Sequence, residues 1–476
     1  MTPTKVDILI RDAVVITQNK NGDIYYDGAV AIDAGDIVAV GQTHQVTERY
    51  MGQKVLKASG RAAMPGLIDT HHHFLQNFLK GSRDDLALED WIAQVSSPRI
   101  VAAVQDYRDG RYGLQRHATR LGCVEALRSG ITCILNMEWA TPVEIVDVYE
   151  EMGIRAVHAL TLTDLDQWQE CGMLLPMDEA MDLADRLIQR CRTSNLVSFC
   201  YGLACPNSCS RSLFQEVRER ADEDGSPIHV HIAETEFEWN HIHSLYNTTP
   251  VQYLNHIGLL GPDVLGAHCI WLSDEDIEIL KETETAVSHN PECNMKVADG
   301  VALIAKMIEA GVTVSLGTDS CAVNDNMDMF EAMRVAAFLQ KVTTMNPAVV
   351  PAAEAFAMGT IGGARALGME DQIGSLEVGK KADVILADLS QPHMRPINSI
   401  VNNLVYSASA SSDVETVIVD GNIVVEDRRL LRCDEQAVVA QAESFAIERF
   451  SEAGLDVPPY YQHASAYKIA RREGSK

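Results

Sequence analysis

The sequence contains no apolar span of 18 residues, which argues against a membrane-crossing helix. Positive charge is scarce: 39 Lys and Arg stand against 67 Asp and Glu, a formal net charge of −28. That deficit argues against nucleic acid and against anionic membrane surfaces as partners. The 11 cysteines are scattered from Cys123 to Cys433, and Cys205-Pro-Asn-Ser-Cys209 is the one close pair. Paired CxxC spacing of a zinc site and the regular spacing of a secreted disulfide framework are both missing. Reduced, buried thiols in a cytoplasmic protein are the simpler expectation. Met1-Thr-Pro-Thr-Lys-Val-Asp7 is charged early with no long apolar stretch behind it, so no signal peptide is expected. Repeats and low-complexity linkers are also absent. What remains is an ordinary globular composition, 46% apolar and 22% charged.

The texture changes twice along the chain. Ile8–Ile10, Val14–Ile16, Ala29–Ile32 and Ile37–Val40 read as short strands, separated by turn signals at Asn21-Gly22, Asp27-Gly28 and Gly35-Asp36. Ala382–Leu386, Val417–Val419 and Ile423–Val425, with a turn at Asp420-Gly421-Asn422, repeat that texture late. Two β-rich ends flanking one body predict a small β-sandwich domain built from both, residues 1–61 plus 372–430. Between them, strand–helix alternation predicts a distorted (β/α)8 barrel over 62–371, with strands ending near Thr70, Met137, Ala159, Tyr201, Ile232, His268, His289 and Asp319. Residues 431–476 are read as a helical extension, with a closing helix over Gln436–Ala453.

Chemistry concentrates at those strand ends, where α/β barrels carry it. The apolar run Ala62–Thr70, read as the first strand, delivers His71, His72 and His73. Alternation puts His71 and His73 on one face and His72 on the other. The fifth strand ends in Ile228-His-Val-His-Ile-Ala-Glu234, the sixth in Leu265-Gly-Ala-His268, the eighth in Ser315-Leu-Gly-Thr-Asp319. Three imidazoles and a carboxylate are a plausible set for one divalent transition metal with a position open for water. His229 and His231 share a face, so periodicity does not choose between them. Glu234, just past the strand, favours His231. A metal-activated water beside a carboxylate proton shuttle is hydrolytic machinery.

Pro65-Gly-Leu-Ile-Asp-Thr-His-His-His73, His231-Ile-Ala-Glu-Thr235, Ala267-His268, Ser288-His-Asn-Pro291 and Gly317-Thr-Asp319 together resemble the amidohydrolase superfamily. They are most similar to its cytosine-deaminase-like branch. That branch holds adenosylhomocysteine, methylthioadenosine, guanine, 8-oxoguanine and pterin deaminases, and s-triazine hydrolases such as atrazine chlorohydrolase. The resemblance takes in the β-rich ends and the tail Ile373-Gly-Ser-Leu-Glu-Val-Gly-Lys-Lys-Ala-Asp383. It implies that His71, His73, His231 and Asp319 bind one metal, zinc first and iron as the alternative. It implies that Glu234 moves a proton from water to a ring nitrogen and that Asp319 passes the second proton to the leaving group. His268 would orient the hydroxide or polarise the substrate, and in some members it is close enough to be a ligand. The resemblance also implies a homodimer or larger homo-oligomer.

The expected reaction is hydrolytic deamination of an amino-substituted nitrogen heteroaromatic ring (purine, pterin, pyrimidine or s-triazine), with release of ammonia. The alternative is the same site acting on another leaving group: chloride or alkylamine from a triazine, or an amide or urea C–N bond. A metal-bearing binding protein without turnover fits the proton-shuttle carboxylate less well, and no apolar patch or tail in the sequence supports an interaction scaffold. Gln76, Trp91, His289 and Asn290 are the expected substrate-binding residues. Gln76 resembles a substrate-facing glutamine in relatives, and Trp91 offers a face for a flat ring. Asn294 is a weaker candidate of the same kind, while Asn324 and Asp325 are expected to hold the last loop. Arg83 and Arg155 are weak candidates for an anionic group on the substrate.

Overall fold

A computed structural model describes residues 2–165 and 172–455. Five strands come first: β1 (Thr4–Ile16), β2 (Ile24–Asp33), β3 (Asp36–Gln42), β4 (Tyr50–Lys57) and β5 (Arg61–Pro65). Eight follow with helices between them: β6 (Leu67–His72), β7 (Ile131–Glu138), β8 (Arg155–Leu162), β9 (Val197–Leu203), β10 (Ile228–Ile232), β11 (Val264–His268), β12 (Ala286–His289) and β13 (Val314–Leu316). The last are β14 (Val384–Asp388), β15 (Val414–Val419), β16 (Asn422–Glu426) and β17 (Arg429–Leu430).

β6 to β13 form one parallel sheet in sequence order. β6, β7 and β8 are buried along their whole length, as parallel strands covered on both faces must be. The sheet is nearly closed by contacts just past β13. Asp319 N–H donates to His71 O and His73 N–H donates to Asp319 O, each at 2.8 Å, around a parallel bridge between His72 and Asp319. The seam of the barrel is therefore made by residues singled out above for chemistry.

The remaining nine strands form a separate mixed sheet that joins both ends of the chain, in the order β17-β16-β15-β14-β5-β1-β2-β3, with β4 also on β1. Ile8, Ile10, Val30, Ile32 and Ile37 from the N-terminal side share one apolar cluster with Val384, Leu386 and Ile418 from the C-terminal side. The helix Glu435–Glu452 packs on the barrel helix Gly113–Arg128. Among the described residues no helix is long and apolar enough to cross a membrane.

Two expectations about strands are corrected. The run Ala62–Thr70 is not one strand. Its first part, β5, pairs with β14 in the terminal sheet, and its second part, β6, opens the barrel. Gly66 lies at the break, where a Cβ would collide with the side chain of Thr132. Ile8–Ile10 and Val14–Ile16, read as two strands, are one strand interrupted by a bulge with Asp12 at φ 63°.

Arg155 begins β8, at the barrel end opposite the site, and so does not serve as an anion reader there. Its Nε and Nη2 donate to the two carboxylate oxygens of Asp383 at 2.9 and 3.0 Å, with the side chains only 4% and 2% exposed. This fork bolts the barrel to the terminal sheet. Arg155→Met leaves the Asp383 carboxylate buried without its partner, and the expected loss is about 3–5 kcal/mol of stability. A denaturation midpoint equal to that of the wild type would show that the bridge contributes nothing.

Candidate active site

His71, His73, His231 and His268, at the C-terminal end of the barrel, are each tethered through Nδ1, which decides what Nε2 can do. His73 Nδ1 lies 2.6 Å from Met137 O, and His231 Nδ1 lies 2.6 Å from Ala204 O. A carbonyl only accepts, so both rings carry their proton on Nδ1 and present a bare Nε2. His71 is fixed by a relay. His229 Nδ1 donates to Leu265 O at 2.9 Å, so its Nε2 must accept, and His71 Nδ1–H donates to it at 2.7 Å. His71 Nε2 is then bare as well, and it is buried with no partner in the protein. His268 Nδ1 lies 2.9 Å from Asn294 Oδ1.

Asp319 stands among these rings. Its Oδ1 is 3.4 Å from His71 Nε2 and 3.7 Å from His73 Nε2, and its Oδ2 is 3.9 Å from His268 Nε2. The ligand atoms of His71, His231 and His268 lie within 4.8 Å of one another, and so do those of His71, His73 and Asp319. Burial keeps His71 and His231 well below the usual imidazole range, hence neutral. Burial alone would raise the Asp319 carboxyl, but His71, His268 and His73 hold it well below the carboxylate range. Neutral imidazoles with bare nitrogens, an anionic carboxylate and one orphaned buried Nε2 fit a divalent metal ion, and their outer hydrogen bonds are those that orient metal-binding histidines.

The loops hold these groups at strained backbone angles. Asp319 has φ 59°, His268 φ 68° and Ala233 φ 51°. Non-glycine residues persist there only where the surroundings over-determine them. Around Asp319, Asp69 accepts from Thr318 N at 3.0 Å and from Thr318 Oγ1 at 2.5 Å, and Asn324 Nδ2 donates to Thr318 O at 3.1 Å. Around Glu234, Glu238 accepts from Ala233 N at 2.8 Å and from Glu234 N at 3.2 Å, while Thr235 caps the helix Glu236–Tyr246. Glu234 Oε1 reaches His268 Nε2 at 3.4 Å. Burial first, then the charges of Asp299, Asp319 and Glu238, push the Glu234 carboxyl well above its ordinary value.

The structure therefore brings His71, His73, His231, His268, Asp319 and Glu234 into one cluster. His72 turns away and is satisfied by Thr318 at 2.9 Å and Asn77 at 3.1 Å. His289 is fully buried with neither ring nitrogen partnered. Asn290 is buried beside His268 and accepts from Ser288 Oγ at 3.3 Å. Gln76 is half-buried on the short 3-10 helix Phe74–Leu79 after β6. Trp91 lies in an apolar cluster with Leu79, Val95, Cys293 and Val297, and its Nε1 has no acceptor. Arg83 is on the surface, paired with Asp85 at 2.7 Å. Asp325 accepts from Gly81 N at 2.9 Å and pairs with Lys296, which holds the last loop against the first.

Sequence reasoning passed over Cys293, Glu238 and Asp299. Cys293 Sγ belongs to the group formed by Glu234, His268 and Asp319. Glu238 had a readable signal, since Thr235-x-x-Glu238 ahead of an apolar helix is capping-box spacing. Cys293 and Asp299 had none.

An amidohydrolase family profile matches residues 62–424. The chain is 38% identical to a 5'-deoxyadenosine deaminase of Methanosarcina acetivorans, over 94% of this chain and 99% of the relative. It is 35% identical to a 5-methylthioadenosine/S-adenosylhomocysteine deaminase of Syntrophobacter fumaroxidans, again over 94% and 99%. Among solved structures, an adenosine deaminase from Xanthomonas campestris with bound zinc superposes with a TM-score of 0.88 at 31% identity, covering 94% of this chain and 100% of the other. A triazine hydrolase from Arthrobacter aurescens shares the fold, with a TM-score of 0.84 at 24% identity over 92% and 99%.

Proposed function

The chain belongs to the amidohydrolase family, and from that premise we propose that it deaminates an adenosine-type nucleoside, with 5'-deoxyadenosine and its 5'-thioether analogues as the substrate class. It is a metal-dependent hydrolase of C–N bonds in cyclic amidines. The observation that carries this reading is the placement of Glu234 beside His268 and Asp319, at the point where the bare nitrogens converge. The nucleoside part rests on whole-length relatives named for that activity.

In this reading His71, His73, His231 and Asp319 hold the metal, with His268 beside them. A divalent ion, zinc by preference, supplies the Lewis acidity that makes water nucleophilic near neutral pH. Water's oxygen bonds to C6 of the purine. Glu234 takes one water proton and delivers it to N1, which relieves the negative charge building in the ring. Its raised proton affinity suits both halves of that transfer. Asp319 takes the second water proton and passes it to the amino group. The C6–N bond breaks, ammonia leaves, and the ring is left with a carbonyl at C6. His268, held by Asn294, fixes the orientation of the attacking oxygen. Gln76, Trp91, His289 and Asn290 are assigned to the ring side of the pocket. His289 has the strongest support, because both its nitrogens lack partners.

A reducing, cytoplasmic setting is supported by the ten described cysteines, all free. A homo-oligomer is supported by Phe338, Val342 and Met345, which expose an apolar stripe along and just past the helix Met329–Thr344. Ammonia release from metal-reconstituted protein tests the function. 5'-Deoxyadenosine should give the highest kcat/KM against guanine, an aminopterin, cytosine and an amino-s-triazine. Release from the free bases or the triazine alone would overturn the nucleoside assignment. Chloride release from a chloro-s-triazine without any ammonia release would overturn the deaminase.

A further inference from the structure

Asp319 presents its two carboxylate oxygens to different partners. Oδ1 stands 3.4 Å from His71 Nε2 and 3.7 Å from His73 Nε2, while Oδ2 stands 3.9 Å from His268 Nε2. His71 and His73 belong to the metal site described above. His268 belongs also to a second set of donors, Glu234, His268, Cys293 and Asp319, whose ligand atoms all lie within 4.8 Å of one another. This set and the set His71, His73 and Asp319 have Asp319 alone in common. His268 is within 4.8 Å of His71 and His231 as well, so the two sets are adjacent. A carboxylate so placed can bridge two metal ions.

Distances and rigidity in the second set fit an ion. With bonds of about 2.0–2.3 Å, the donors of a tetrahedral zinc lie about 3.3–3.8 Å apart. Glu234 Oε1 is 3.4 Å from His268 Nε2, and Asp319 Oδ2 is 3.9 Å from the same nitrogen. His268 is held through Nδ1 by Asn294 Oδ1 at 2.9 Å, which leaves Nε2 as its free ligand atom. Cys293 precedes Asn294 on the helix Pro291–Lys296, so one short turn fixes both the thiol and the imidazole. Glu238 aims Glu234 by accepting from its N–H and from that of Ala233. All four residues are buried, none of them more than 9% exposed. Cys293 also backs onto Leu79, Trp91, Val95 and Val297. Packing there does not require its sulfur to stand among two carboxylates and an imidazole. A thiolate is the soft donor that favours zinc and its thiophilic relatives over magnesium and calcium.

We propose that Glu234, His268, Cys293 and Asp319 form a second site for a thiophilic divalent cation, zinc or cadmium, joined to the first through Asp319, and that filling it stops turnover. Coordination releases the thiol proton to solvent. A carboxylate engaged by a cation is a poor proton carrier, so a filled second site withdraws Glu234 from its role. That consequence rests on the role given to Glu234 above, whereas the site itself rests on the placement of its four donors. Two cations that share one carboxylate repel each other, so the second ion binds more weakly than the first. The protein is then active with one zinc and inhibited by zinc in excess.

The test starts from protein carrying one zinc per chain. It is titrated with zinc against a chromophoric chelator and, in parallel, with cadmium, whose bond to a thiolate absorbs in the ultraviolet. The wild type should take up a second equivalent of either ion, show the cadmium–thiolate band and lose most of its rate on 5'-deoxyadenosine as that equivalent binds. Cys293→Ala should lose the band and bind the second ion more weakly by over about 10- to 100-fold, the cost of losing a mere outer hydrogen-bond partner. Half-inhibition should then need correspondingly more zinc, with each rate read relative to the same protein carrying one zinc. Elemental analysis checks that the first zinc stays. If Cys293→Ala melts far below the wild type, Cys293→Ser, which keeps the size of the side chain, decides by the same titrations. A wild type that binds one equivalent only would overturn the proposal. A second equivalent and a band that persist unchanged in the variants would overturn it too, because the cation then sits elsewhere. A second ion that depends on Cys293 but leaves the wild-type rate unchanged would overturn the inhibition. A one-zinc wild type without turnover on any substrate overturns the function proposed above, and the metal titrations still decide the site.

Discussion

Replacing Glu234 by glutamine is expected to lower kcat by about 10²- to 10⁴-fold, the usual worth of a positioned acid–base group. KM and bound metal should stay close to the wild type. Glutamine has the same size and can keep the contact with His268, now 3.4 Å from Glu234 Oε1. The backbone that aims the residue is fixed from outside, by Glu238 on the N–H groups of Ala233 and Glu234 and by the cap at Thr235. The substitution therefore leaves the loop in place and removes one capacity, that of taking a proton and giving it back. Neutral glutamine also lifts the repulsion among Glu234, Asp299 and Asp319, so the variant should be no less stable than the wild type. Initial rates of ammonia release, elemental analysis and a melting midpoint check the three parts. A rate within a few-fold of the wild type, with metal bound, would remove Glu234 from the proton path.

The strand ends were legible because barrel strands are short apolar runs bounded by polar groups. His71, His73, His268 and Asp319 could be found that way. The pairing of the two chain ends into one sheet was legible from their shared turn-rich texture. Depth was not legible. His229 and His231 lie on one face of β10, two residues apart, and alternation treats them alike. The structure separates them by neighbours: His229 sits against Leu265 O and braces His71, while His231 stands at the rim, tethered to Ala204 O. Strand polarity would have disposed of Arg155, since a residue that starts a barrel strand lies at the far end from the site. The break at Gly66 was hidden by an unbroken apolar run, because its two halves differ only in the strands they pair with, β14 and β7. Asp299 was hidden for the same kind of reason. It acts on Glu234 from a loop far along the chain, and its buried Oδ2 has no hydrogen-bond partner.

Asp319→Asn should do more damage than Glu234→Gln and of a different kind. Asp319 has φ 59°, a conformation that asparagine adopts about as readily as aspartate, so the strained turn survives the change. Its backbone contacts to His71 O and His73 N, which close the barrel, do not involve the side chain. What disappears is the negative charge. An imidazole that binds a metal through a bare nitrogen brings no charge to balance a divalent cation, and among the described residues the carboxylate of Asp319 is the anion within 4 Å of His71, His73 and His268 together. Metal affinity should therefore fall by more than the 10- to 100-fold that loss of an outer hydrogen-bond partner costs. Turnover per bound metal should fall further, by about 10²- to 10⁴-fold, because the acceptor of the second proton is gone as well. Elemental analysis beside a rate assay at saturating zinc separates the two losses. A variant that keeps full metal and loses only rate would make Asp319 a proton carrier and not a ligand. A variant that keeps both would remove it from the site altogether. The contrast with Glu234→Gln, which should keep its metal and lose its rate, distinguishes the residue that moves protons alone from the one that also holds the ion.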